Sequence, residues 1–181
     1  MPLVFSVPPR ASVRFVSLSL LALTVGCASR APAPPPVQGR ERTQFVMRYI
    51  DVAPGTGAEA LPGQCYWVHY TGWLTDGTKF DSSRDTANDG TPRQPLPFAQ
   101  GRRGVIAGWD IGFEGMRVGA HRRLIIPYQL AYGINGRPPQ IPPRATLIFD
   151  VELMDVRPPP AATPPNPPPS CPRWADRGGD A

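Results

Sequence analysis

The sequence predicts an α+β fold, an antiparallel sheet of five to six strands wrapped around one short helix. Three observations carry this. Several segments between residues 44 and 157 have the composition or alternation of strands. Only one segment there has helical spacing, and the dense runs of proline lie outside the span.

Taken in order, "QFVMRYIDV" (44–52) is a first strand, closed by the turn residues of "APGTG". "CYWVHYTGWL" (65–74) mixes aromatic and β-branched residues with near alternation, and Asp76-Gly77 supplies a turn before "TKFDSS". "VIAGWDIGFEGM" (105–116) sets Ile106, Trp109 and Phe113 on one stripe of a short helix. "HRRLIIP" (121–127) and "ATLIFDVELMDV" (145–156) are further strands. In the last, Leu147, Phe149, Val151 and Leu153 share one face while Asp150 and Glu152 point to the other, as in a sheet that is dry on one side. One short helix cannot cover a parallel sheet, so the α/β classes are excluded.

The chain has 181 residues and 26 prolines. Sixteen of the prolines fall before residue 10, between Pro32 and Pro36, or from Pro158 to Pro172. Such segments bury too little apolar surface to order themselves. The expected organisation is therefore a folded domain at 44–157, preceded by a Pro/Ala tether and followed by a disordered tail at 158–181.

Residues 10 to 27, "RASVRFVSLSLLALTVGC", have the layout of an export signal over residues 1–26. The apolar run from Phe15 to Val25 is about half of the roughly 20 residues that a spanning helix needs. "LTVGC" resembles the bacterial lipoprotein box, which makes Cys27 the expected lipidated first residue of the mature chain, although Thr24 stands where leucine is usual. A lipid there would hold the protein on a membrane surface. The expected location is an exported, lipid-anchored one on a bacterial membrane, the outer membrane facing the periplasm. Residues 27–43 then form an extended spacer.

Composition excludes several functions. The net charge is +5, and +3 without Arg10 and Arg14 of the leader, because no acidic residue precedes Glu41. Dispersed arginines at that charge give no reason to expect nucleic acid, and Arg122-Arg123 read as a solvated face or rim. His69 and His121 stand alone and no C-x-x-C occurs, so neither a metal site nor a cofactor is expected. Cys65 and Cys171 remain in an oxidising compartment, where they could pair. The placement of Cys171 in the proline-rich tail argues against that bridge.

"VHYTGWLTDGTKFDSSRD" (68–85), "GVIAGWDIGFEGMRVGAHRRLIIP" (104–127), "LAYG" (130–133) and "IPPRATLIFDVEL" (141–153) stand in the order and spacing of one family. Over residues 46 to 156 the chain resembles the FKBP-type peptidyl-prolyl isomerases, the macrolide-binding immunophilins. The resemblance implies the fold reached above and an activity that accelerates rotation about X–Pro bonds. It implies catalytic positions at Tyr70, Phe80, Asp81, Tyr132 and Phe149, and substrate contacts at Leu96, Val105, Ile106, Trp109 and Ile141. Leu96 stands where a pocket aromatic is common, in a loop that is several residues longer than the family's minimal domain. Arg137 and Gln140 also depart from the usual types. The implied partners are proline-containing polypeptides and a macrolide ligand. Nothing in the sequence resembles a separate dimerisation helix, so a monomer is expected. By periodicity alone Trp109, Phe149 and Tyr70 are ordinary core positions, and a binding module or holdase without turnover is the alternative.

Overall fold

The computed structural model describes residues 34–44, 46–160 and 170–176. The leader, Cys27 and most of the tether and tail lie outside the described residues. Seven strands form one antiparallel sheet: β1 (Glu41–Gln44), β2 (Met47–Ala53), β3 (Cys65–Leu74), β4 (Lys79–Ser82), β5 (Leu96–Ala99), β6 (His121–Ile126) and β7 (Leu147–Arg157). The order across the sheet is β1-β2-β6-β7-β3-β4, with β5 beside β4 on the same edge of β3. One helix, α1 (Ala107–Gly112), lies on the apolar face. No helix among the described residues is long and apolar enough to cross a membrane.

Two strands exceed the sequence expectation. The single strand expected at 44–52 is a tight hairpin of β1 and β2, with Gln44 paired to Met47. The short β5, "LPFA", contains Pro97, which removes a ladder donor and disguised the segment as loop; an edge strand tolerates it.

The alternation of β7 carries the core. Leu147, Phe149, Val151 and Leu153 are all at most 4% exposed. A bulge at Met154 changes the phase, so that Val156 also faces inward. In β3, Tyr66, Val68 and Tyr70 join the same core, with Trp109 and Phe113 of the helix region above them. The helix lies close to the sheet at Gly108, where a Cβ would come within 2.4 Å of Ile126 Cγ2. Glycine inside a helix costs about 1 kcal/mol against alanine, and here it permits the approach that buries Trp109.

Arg122 and Arg123 correct the expectation of a solvated pair: they are 6% and 7% exposed. Arg122 donates to Asp51 at 2.6 Å and to the carbonyls of Gly112 and Glu114, closing the end of α1. Arg123, on the opposite face, makes a two-pronged ion pair with Asp150, its cross-strand partner, and donates to the Pro35 carbonyl. Their acidic partners lie far off in sequence, which is why spacing did not reveal the burial.

The tail also departs from expectation in its described part. Cys171 forms a disulfide with Cys65, with Cα atoms 5.5 Å apart. Trp67 Nε1 donates to the Pro172 carbonyl at 2.9 Å. Trp174–Asp176 form a 3₁₀ turn. Residues 170–176 therefore make a strap against the sheet rather than a disordered end. The strap attaches to Cys65 and Trp67, which alternate along β3 with the core-facing Tyr66 and Val68.

Candidate active site

A cleft of about 200 Å³ opens where the chain leads into α1 and crosses the end of the sheet. β3 contributes Tyr70, β4 contributes Phe80 and Asp81, and β5 contributes Leu96. Val105 and Ile106 precede the helix and Trp109 lies within it; Tyr132 follows the 3₁₀ turn Tyr128–Leu130, and Phe149 comes from β7. Gly104 and Arg137 complete the lining. Ile141 is the exception among the expected positions. It is 4% exposed in the core and closes a backbone-bonded turn with Arg137, outside the cleft lining.

The aromatic rings support one another edge to face. Trp109 stands 5.1 Å from Tyr70 and 5.4 Å from Phe149, both at 80°, and Phe80 meets Phe149 at 5.5 Å and 88°. Such pairs add about 0.5–1.5 kcal/mol each beyond area burial and hold the rings in place. Gly72 makes this possible. A Cβ there would lie 2.5 Å from Phe80 and 2.9 Å from Phe149, so only glycine lets the two rings close over β3.

The polar edge has one carboxylate. Tyr70 Oη donates to Asp81 Oδ2 at 2.5 Å, while Arg93 Nη1 and the Ser82 N–H donate to Oδ1 at 2.8 and 2.9 Å. Burial pushes the Asp81 carboxyl up, but the bonds from Tyr70 and Arg93 outweigh it and leave the group below its ordinary value. Burial, then the bond to Asp81, push the Tyr70 phenol far above its usual range. Asp81 is therefore a fixed negative charge with both oxygens engaged, ill suited to take a proton from a substrate.

Donors remain for a ligand. Among the described residues no acceptor meets the Tyr132 hydroxyl or the Ile106 N–H. Trp109 Nε1 is buried with no hydrogen-bond partner, a group whose desolvation costs about 1–3 kcal/mol. The arginine that serves Asp81 is Arg93, and the neighbouring Arg84 pairs with Glu152 instead. Spacing did not disclose Arg93, because its position depends on how the lengthened 86–97 loop folds. Gly72 did carry a signal, as a glycine inside a strand, where close packing is the common cause. Arg137, noted as a departure, sets its guanidinium 5.9 Å from the Tyr132 ring.

Comparison with known proteins agrees with this geometry. Residues 57–154 match the family described as FKBP-type peptidyl-prolyl cis-trans isomerase. The FK506-binding protein of Neisseria meningitidis serogroup B (strain ATCC BAA-335 / MC58) is 52% identical over 106 residues, which are 59% of this chain and 92% of that protein. Peptidyl-prolyl cis-trans isomerase FKBP2 of Mus musculus is 39% identical over 138 residues, 76% of this chain and 92% of that one. Among solved structures, FkpA from Escherichia coli superposes with a TM-score of 0.56 at 39% identity, covering 65% of this chain and 52% of FkpA. The chain thus spans about half the length of FkpA. AtFKBP13 gives a TM-score of 0.54 at 38% identity over 61% of this chain and 93% of that one. Proteins of this family bind proline-containing substrates and macrolides in general. With a family match over more than half its length and named isomerases among its relatives, the chain belongs to the FKBP-type peptidyl-prolyl cis-trans isomerases and is an isomerase of X–Pro peptide bonds.

Proposed function

We propose that the aromatic cleft is where the isomerase acts, that it works without a covalent step, and that its substrates are exported polypeptides met at a membrane surface. The observation that carries the mechanism is the mutual engagement of Tyr70 and Asp81: the one carboxylate in the cleft is already bonded and holds its charge. The barrier to X–Pro rotation, about 18–20 kcal/mol, comes from amide resonance. A 10⁴-fold acceleration needs only about 5.5 kcal/mol. The planar amide is strongly dipolar and twisting reduces that charge separation. A dry aromatic slot therefore disfavours the planar state relative to the twisted one.

In this reading Trp109 is the floor for the proline ring, and Phe80, Tyr70 and Phe149 are its walls. Val105 and Leu96 cover the flanks, and Ile141 supports the turn behind Tyr132. The Ile106 N–H holds one substrate carbonyl, the Tyr132 hydroxyl donates to another, and Asp81 biases the field at the rotating bond. The test is NMR exchange between cis and trans forms of a short X–Pro peptide. Faster exchange with wild type is expected, with rates falling about tenfold or more in folded Tyr132→Phe and Asp81→Val variants. Peptide binding without faster exchange would overturn the catalytic assignment.

The same measurement across pH separates this mechanism from proton transfer. Asp81 is held below its ordinary value, so its charge and the stability it contributes are fully present above about pH 4. Both are lost as pH falls through the lower folded-state value. Tyr70 stays protonated throughout. The rate is expected to be level from about pH 8 to 5, where a general acid–base pair would give a bell.

For the anchor, the export-type leader and the cysteine at its end support lipidation of Cys27. The Cys65–Cys171 bond supports an oxidising compartment, consistent with a periplasm-facing outer-membrane location. Cys27→Ser should move the protein from the membrane fraction to the soluble one. Unchanged fractionation would rule the lipid out.

A further inference from the structure

We propose that the C-terminal strap builds a second, apolar subsite that grips the polypeptide flanking the X–Pro bond, with Trp174 as its anchoring side chain. The proposal rests on the isomerase acting in the aromatic cleft. β5 is the wall between the two sites. Leu96 and Phe98 stand opposite Val68 and Tyr66 of β3, whose side chains enter the core, and Pro97 stands opposite Trp67, which meets the strap. Pro95, Pro97 and Trp174 line a cleft of about 370 Å³ outside this wall. Leu96 lines both this cleft and the catalytic one and is 37% exposed, so the two adjoin at this side chain.

The strap is held firmly enough to serve as a binding surface. The disulfide at Cys171 and the bond from Trp67 to the Pro172 carbonyl lie immediately before Trp174, and Arg173 bridges to Asp176 across the turn that carries it. Trp174 is half-buried, with part of its surface open. Two proline rings, a leucine and an indole suit an apolar or proline side chain of an extended chain. Prolines at 95 and 97 remove two ladder donors from this edge, so recognition falls to side chains rather than to strand addition. A chain with its X–Pro bond in the catalytic cleft and its flank crossing Leu96 would reach Trp174 within a few residues, at about 3.3 Å per residue.

The test uses the full disulfide-bonded chain and two substrates, an X–Pro peptide of about four residues and one of about twelve with apolar residues on both sides. The quantity read is the ratio of kcat/KM on the long peptide to that on the short one. Trp174→Ala should lower this ratio about tenfold, and Trp174→Phe should restore most of it. In parallel, the Trp174 indole N–H resonance should shift on adding the long peptide and stay in place with the short one. An unchanged ratio overturns the subsite, as does an equal loss on both peptides, which would make Trp174 only a structural cover. A wild type that turns over neither peptide would instead remove the isomerase activity on which the proposal rests, and the indole resonance would still report whether the long peptide binds.

Discussion

Phe149→Ala is expected to lower stability by about 3–5 kcal/mol and to remove most of the isomerase activity in the same step. The ring is 4% exposed and touches Trp109, Phe80 and Tyr70. The site cannot collapse to fill the gap. Phe149 lies on β7, paired to Leu124 on one side and Gly72 on the other, and glycine has no side chain to move in. A cavity that stays open puts the cost near the upper end of the range. Phe80→Ala separates packing from catalysis, because Phe80 is half-buried at the rim of the same cleft and should cost only about 1–2 kcal/mol. Urea unfolding and NMR exchange on both variants make the check. Activity should fall in both, with a large stability loss only for Phe149→Ala. A folded Phe149→Ala protein with wild-type exchange rates would show that the cleft is not the site.

Breaking the Cys65–Cys171 bond is expected to cost about 2 kcal/mol, well below what its span suggests. A loop of 106 residues corresponds to about 4.7 kcal/mol of lost unfolded-state entropy. In the folded domain, however, Cys65 is already paired with Arg157 at the end of β7. The bond then closes only the stretch from 157 to 171, and cutting it returns much of that entropy to the folded state as well. Logarithmic scaling with loop length leaves a difference of about 2 kcal/mol, to which the lost cover over Trp67 adds. For a domain of this size that is a fall in Tm of roughly 8–15 °C. Comparing the oxidised protein with the double variant Cys65→Ser/Cys171→Ser measures it without a stray thiol. A drop near the full loop value would mean that the strap is mobile even when bonded.

The cleft was legible to different depths. The positions of Phe149 and Trp109 follow from period-2 and period-3.6 patterns, which say only that these rings point inward. Their grouping with Tyr70, Phe80, Asp81 and Tyr132 came from the resemblance of four ordered motifs, and the structure gathers all six around one opening. The motif places Ile141 in the cleft, whereas the structure buries it in the core outside the cleft's lining. Arg93 was missed because a loop arginine declares no partner until the loop is folded. Arg122 and Arg123 read as surface because charge pairs across strands leave no periodic trace, and their partners Asp51 and Asp150 are 71 and 27 residues away.

By itself the sequence determined most of the sheet, the short helix and the face that β7 buries, because these are local consequences of side-chain period and turn chemistry. The strands at Glu41–Gln44 and Leu96–Ala99 escaped it. The sequence also marked where the prolines concentrate on either side of the domain. Tertiary structure alone decided which arginine holds Asp81, and that the tail returns to β3 through Cys171 and sets Trp174 beside Leu96. Each of these is a meeting of residues distant along the chain. Such meetings depend on three-dimensional distance and the closure of loops, quantities that no local pattern encodes.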